Sequence, residues 1–413
     1  MQGRLDSIDR IRAFALLLLV FLHAAVYHFS GIFAVIDDPP PVVAVMGLFV
    51  LFGGAFIMMS GLVNTSTALD RAASGARRPG RICLDLMTTG ALLLVVHFVY
   101  EVFLGPASFD WDKETRAESV LTQLIGGRPL DFDPRRLLEG SSLSTIGIGL
   151  LLLGPLLRLL LAPGIARRRL HYPILALLVL VFFSFAFFRY RYYPLAAEAR
   201  AEGRWAPALL LGLLLEKPYP VLPYFSFTLL GALLAFALRE TRARLILKGF
   251  TALGLAVIGT GIAFYLLAPP GLTAVTGSWF SRVLIEAGFF LIVGSLALLL
   301  VELGPRKAAG GVRRAGPKDR TFRSFGAASL SLFLLETPVS DLLARLFGLL
   351  FPLWDWSIPG VLAFGATCAL FWLLLLSMWR KKDYRLSFDR FFARAQGGLG
   401  RASSRTDISN YEH

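Results

Sequence analysis

Apolar residues gather along the chain into ten runs long enough to cross a bilayer, at about 11–30, 42–63, 84–104, 142–162, 172–188, 220–238, 249–267, 281–303, 325–350 and 358–379. A helix rising 1.5 Å per residue needs about 17–25 residues to span a hydrocarbon core of roughly 30 Å, and these runs meet that length. The pattern predicts an all-α polytopic membrane helix bundle of about ten transmembrane helices. The sixth run holds Pro220 and Pro223 and follows Ala206–Leu215, a piece too short to cross and expected to be interfacial or re-entrant. The first run continues past the small pair Ala24-Ala25 to Phe29, so it reads as a span rather than a cleaved leader.

Polar connections give the orientation. Lys and Arg number 29 in 1–12, 64–82, 163–171, 239–248, 304–324 and 380–413, against 10 in 31–41, 105–141, 189–219, 268–280 and 351–357. Positive connections stay cytoplasmic, so both termini are expected inside, with 105–141 as a long outer loop. The domain is expected to end near residue 380, leaving 381–413 as a basic, partly disordered cytoplasmic tail.

Composition agrees with this assignment: 56% of residues are apolar and 17% charged, too few charges for a water-exposed surface. The 39 glycines suit close helix packing in lipid. A net charge of +14 is then a topology signal first, and no nucleic-acid partner is implied. The two cysteines, Cys83 and Cys368, form no disulfide framework or cysteine metal site, and no metal is expected. No GxxxxGK phosphate loop occurs.

Candidate chemistry begins in the first run. Arg12 and His23 are eleven residues apart, which puts them on one helix face about 16 Å apart along the axis. An arginine at the inner boundary and a histidine at depth suit a CoA thioester entering from the cytoplasm, because an extended pantetheine arm has a comparable reach. At depth the imidazole is neutral and able to take a proton from an attacking hydroxyl or amine; the bland alternative is a histidine that hydrogen-bonds between helices.

The setting SIDRIRAFALLLLVFLHA, with Arg12-x10-His23, resembles the R-x10-H signature of the acyltransferase-3 proteins and their transmembrane acyltransferase superfamily. Phe56-Ile57-Met58-Met59-Ser60-Gly61 resembles their Phe-x-x-x-Ser-Gly element, and Arg78-Pro79-Gly80-Arg81 their R-x-x-R motif, in the same order. Leu143–Gly147, Tyr219–Tyr224 with Gly231, and Gly326–Leu330 are similar to the branch related to heparan-α-glucosaminide N-acetyltransferase, so the likeness spans most of residues 4–350. It implies a multi-pass acyltransferase of a bacterial inner membrane that takes acyl-CoA, as acetyl-CoA, and modifies a glycan, glycolipid or other extracytoplasmic acceptor. His23 would be the base, and Arg12, Arg78 and Arg81 would hold CoA phosphates. Several relatives carry a histidine where this chain has Glu336.

Ser60, His97, Glu101 and Glu336 are supporting or acceptor-side candidates. His97 and Glu101 stand i,i+4, a spacing that also suits a plain interhelical hydrogen-bond pair. Asp341 with Arg345 and Arg282 with Glu286 share it and read as self-neutralising salt bridges, while His28 faces away from His23. The rival class is a secondary transporter with an intramembrane path through His23, His97, Glu101 and Glu336.

Overall fold

The computed structural model describes residues 5–35, 40–43, 46, 52–110, 115–137, 141–215, 219–267, 278–304, 325, 326, 328–392 and 394. Along the chain run α1 (Asp6–His28), α2 (Phe52–Ala73), α3 (Pro79–Val99), the strands β1 (Ser108–Asp110) and β2 (Thr115–Ala117), α4 (Val120–Gly126), α5 (Ser142–Leu160) and α6 (Pro163–Arg167). Then come α7 (His171–Phe187), α8 (Arg189–Ala201), α9 (Trp205–Leu215), α10 (Val221–Leu238), α11 (Ala243–Leu267), α12 (Ser278–Ala297), α13 (Ser329–Leu350) and α14 (Ile358–Lys381). Helices α3 and α12 each end in a π-helical turn, Tyr100–Leu104 and Leu298–Glu302.

Among the described residues seven helices are long and apolar enough to cross a membrane: α1, α3 with its π turn, α5, α10, α11, α12 with its π turn, and α14. The pair α7 and α8, bent by 64°, makes an eighth if it is one span. The chain is an integral membrane protein with an all-α bundle. Of the remaining two expected spans, 42–63 overlaps only the first half of α2, which runs on to Ala73 through Asn64, Asp70 and Arg71, and 325–350 corresponds to α13, which carries Glu336, Asp341 and Arg345. Most of the polypeptide just before α2 lies outside the described residues.

Two compact units divide the chain. The first comprises Met1–Ile8, Gly53–His97 and Leu138–Arg314. Its central element is α10: 94% of its spanning window is buried inside the protein, against 11% for α11, which therefore lies at the unit's periphery. Glycines set the closest helix approaches. A Cβ on Gly231 would collide with the backbone of Met58 in α2, and one on Gly61 with the backbone of Thr228 in α10. Gly90 of α3 faces Gly147 of α5, where a Cβ would sit 2.5 Å from the Gly147 carbonyl oxygen, and Gly254 and Gly288 play the same part between α11 and α12. Without a hydrophobic drive between helices in lipid, such backbone contact supplies much of the attraction.

The second unit comprises Asp9–Phe52, Phe98–Leu137 and Ala315–His413. Gly365 of α14 lies against the Phe21 carbonyl of α1, and Leu22, Ala25, Phe29, Ile32, Met46 and Val361 form an apolar core. The antiparallel pair β1–β2 is tied down by Arg136, a buried guanidinium that donates to the carbonyls of Glu101 (2.7 Å), Ala117 (2.6 Å) and Pro106 (3.0 Å).

Chain beyond residue 380 is more than a tail. Asp389 accepts from the Leu330 and Ser331 amides at 3.0 and 2.9 Å and from Ser331 Oγ at 2.6 Å, so it caps the first turn of α13. Residues 395–413 lie outside the described residues.

The glycine contacts are directly testable. Replacing Gly231 by Leu is expected to lower stability by about 1–3 kcal/mol or to abolish folding, because backbone, rather than a movable side chain, fills the space. Gly249→Leu, where a Cβ would meet nothing within 4 Å, should leave the melting temperature in detergent unchanged.

Candidate functional site

The second unit brings together two of the residues singled out from the sequence. His23 Nδ1 lies 2.7 Å from Glu336 Oε1, a bond that runs from α1 to α13. Glu336 is 1% exposed, whereas the His23 side chain is 28% exposed and therefore reachable. Thr337 Oγ1 also donates to Glu336 Oε1 at 2.8 Å, while the buried Oε2 has no hydrogen-bond partner. With Glu336 ionised, a carboxylate only accepts, so Nδ1 carries the proton and Nε2 is left with its lone pair. A base oriented by a buried acid through a short charge-assisted bond is the arrangement that general-base catalysis needs.

Five residues further along both helices a second histidine faces a carboxylate, here without a hydrogen bond between them. His28 Nε2 is 3.4 Å from Asp341 Oδ1, and Thr122 Oγ1 donates to Asp341 Oδ2 at 2.6 Å. Because both pairs advance by five residues, α1 and α13 run in the same direction. Asp341 thus turns to α1 and α4, and Arg345 donates to the Ile125 carbonyl, where the i,i+4 spacing predicts that the two would pair with each other.

His28, Asp341 and Thr122 line a cavity of about 450 Å³ together with Tyr27, Thr337 and Trp356. The Tyr27 ring meets His23 edge-on at 5.2 Å, so the cavity adjoins the His23–Glu336 pair. Arg116 and Arg128 in its wall are occupied by structure. Arg116 donates to the Tyr27 and Phe29 carbonyls at 3.0 and 2.8 Å, and Arg128 pairs with Glu118 at 2.7 Å. Burial pulls the Arg116 guanidinium below its usual pKa, with Glu118 acting against that shift and Arg128 adding to it.

The remaining candidates divide between the units. Arg12 shares α1 with His23. Arg78 is exposed at the start of α3, and Arg81 joins Arg71 and Arg77 around Asp85, at 3.4, 3.6 and 3.0 Å, so part of that basic cluster is already neutralised within the first unit. Ser60 accepts from Asn64 Nδ2 at 3.2 Å, a contact within α2. His97 is fully buried and its Nδ1 lies 3.0 Å from Ser141 Oγ at the start of α5. Glu101, on the π turn of α3, is buried and gives its carbonyl to Arg136. A second cavity, of about 680 Å³, lies in the first unit along residues 238–245 with Leu303, and includes Arg239, Arg242 and Arg244.

Sequence reasoning missed the capping role of the buried carboxylates that close helix starts in the first unit. Glu286 accepts from the Gly54 amide at 3.1 Å and from Tyr224 Oη at 2.8 Å. Glu302 Oε1 accepts from both the amide and hydroxyl of Ser7 at 2.9 Å. The sequence signal available for the second unit was the matched five-residue spacing of His23/His28 and Glu336/Asp341. No group of three or more His, Cys, Asp or Glu among the described residues is placed to hold a metal ion. Compared with models of known protein families, the chain matches none, and no curated protein matches it either.

If His23 and Glu336 act as a unit, their substitutions must not add. His23→Ala, Glu336→Gln and the double variant are expected to show a coupling of about 0.5–3 kcal/mol in stability. Strict additivity in thermal unfolding would show that the 2.7 Å contact has no energetic weight.

Proposed function

We propose that this protein is a membrane-embedded acyltransferase that moves an acyl group, in its simplest form acetyl, from acyl-CoA to a hydroxyl or amine of a glycan or glycolipid acceptor. The observation that carries the reading is the reachable His23 imidazole held at 2.7 Å by the buried Glu336 carboxylate. The Arg12-x10-His23 signature and the ordered motifs behind it lend the donor's identity.

In this reading His23 Nε2 removes the proton from the acceptor hydroxyl or amine. The acceptor atom attacks the thioester carbonyl, the carbon–sulfur bond breaks, and the imidazolium returns the proton to the departing thiolate. Glu336 keeps the Nδ1 tautomer and stabilises the imidazolium while it exists. The cavity beside Tyr27 and Asp341 would receive the acceptor, whose hydroxyls suit the carboxylate and whose sugar face suits Trp356. By the motif resemblance, Arg12 of the second unit and, separately, Arg78 and Arg81 of the first are the candidates for CoA phosphates.

The charge distribution supports a ten-helix bundle with both ends in the cytoplasm and 105–141 outside. With Cys83 and Cys368 replaced, a cysteine at position 131 should react with an impermeant external reagent and one at position 382 should be protected. Equal labelling from outside would overturn this topology.

Catalysis is tested on purified protein with acetyl-CoA and a panel of sugar acceptors. His23→Ala is expected to lower transfer by about 10²–10⁴ through loss of the base while CoA affinity barely changes. Full specific activity in a folded His23→Ala protein would end this mechanism. Absence of both acetyl-CoA binding and acetyl-CoA hydrolysis in the unsubstituted protein would favour the transporter class.

A further inference from the structure

Around Tyr224 the first unit buries more positive charge than it neutralises. Arg189 is 1% exposed, and its guanidinium lies between two rings, 3.9 Å from the Trp279 centroid and 4.3 Å from that of Tyr193. Arg189 hydrogen-bonds the Tyr193 side chain and, through Nη1 at a long 3.4 Å, the Leu215 carbonyl, while its buried Nη2 has no hydrogen-bond partner. Arg282, three residues along α12 from Trp279, also buries Nε and Nη2 without a hydrogen-bond partner. The Trp279 ring that carries Arg189 lies 6.0 Å from the Tyr224 ring and one helical turn from Arg282 on α12, so both guanidinium groups belong to the surroundings of Tyr224.

The carboxylate nearby cannot serve both. Glu286 gives Oε1 to the Gly54 amide and Oε2 to Tyr224 Oη, so both of its oxygens are already engaged. Contact with aromatic faces returns less than a buried charge without a hydrogen-bonded partner costs. The shortfall calls for an acceptor that brings negative charge.

We infer that the Arg189–Arg282 cluster of the first unit binds a phosphate group, carried by a membrane phospholipid or free in solution. The idle atoms select this chemistry. Nε and Nη2 of Arg282 form the side-on edge of a guanidinium, which takes two oxygens of one anion at once. A carboxylate has both its oxygens used by that edge, while a phosphate keeps a further oxygen for a second donor in the cluster. A phosphodiester also brings negative charge to two buried guanidinium groups. The aromatic walls of Trp279 and Tyr193 fit the boundary between headgroup and hydrocarbon. This site owes nothing to His23 or to acyl transfer.

The experiment measures thermal unfolding of the purified, delipidated protein in a neutral detergent. Sodium phosphate is titrated against sodium chloride at equal ionic strength, and, separately, dioleoylphosphatidylglycerol against dioleoylglycerol, which lacks the phosphate. The expected result is a saturable rise of a few degrees with phosphate, with the phospholipid, or with both, and none with either control. A response to both means that the phosphate group alone suffices; a response to the phospholipid alone assigns the site to lipid. In Arg282→Gln and Arg189→Gln the apparent affinity should fall at least about tenfold, as loss of bonds to a charged group requires. Arg282→Lys, which keeps the charge and loses the side-on edge, serves if a glutamine variant does not fold. No rise in the unsubstituted protein, or an undiminished rise in the arginine variants, would overturn the proposal.

Discussion

Helix ends are the hard problem for a chain of this composition. Each α-helix leaves amides at its start and carbonyls at its end without intrahelical partners, and hydrocarbon offers them none. Buried side chains meet the need here with a consistent division of labour. Carboxylates close starts: Glu302 at α1, Glu286 at α2 and Asp389 at α13. Guanidinium groups close finishes: Arg116 at α1, Arg345 at α4 and Arg244 at the π turn after α12. Each arrangement matches the sign of the helix dipole as well as the hydrogen-bond deficit, a combined effect of about 0.5–2 kcal/mol per end. Most of these residues come from distant parts of the chain, so the caps also fasten one helix to another.

That use of charge explains what could and could not be read in advance. Helix positions follow from apolar runs, since length and hydropathy are local properties, and the seven clear spans fall within those runs. The dyad was half legible. His23 stands out as an ionisable residue deep in a long apolar stretch, and Glu336 as a departure from a histidine, but their meeting depends on how α1 lies beside α13. Spacing along one helix was a poorer guide to partners. Asp341 and Arg345 share a face, yet each finds a better-placed partner on another element, because α4 and its flanks bring Thr122 and the Ile125 carbonyl closer. Glu286 does interact electrostatically with Arg282, as their spacing suggests, but gives its hydrogen bonds to an amide and a tyrosine hydroxyl. Long-range caps leave no periodic trace, so Glu302 and Asp389 look in the sequence like ordinary polar residues at the ends of spans.

The dyad's position has its own logic. Glu336 sits well inside α13, flanked by Thr337, and the neighbouring turn holds Asp341 and its partners. A base oriented by a carboxylate benefits when that carboxylate is itself fixed, and Thr337 holds the same Oε1 that meets His23. The edge-on Tyr27 ring restricts the imidazole further while leaving one side reachable.

Asp389 has a practical bearing on how the protein is handled. By closing the first turn of α13 it fastens a segment beyond the last helix to the element that carries Glu336, seven residues on from the start of that helix. A shortened version cut just after α14 would appear harmless on a hydropathy plot and would nonetheless leave two amides and a hydroxyl of that turn uncapped. Affinity tags and reporter fusions therefore belong after residue 394 and not at the apparent end of the last span.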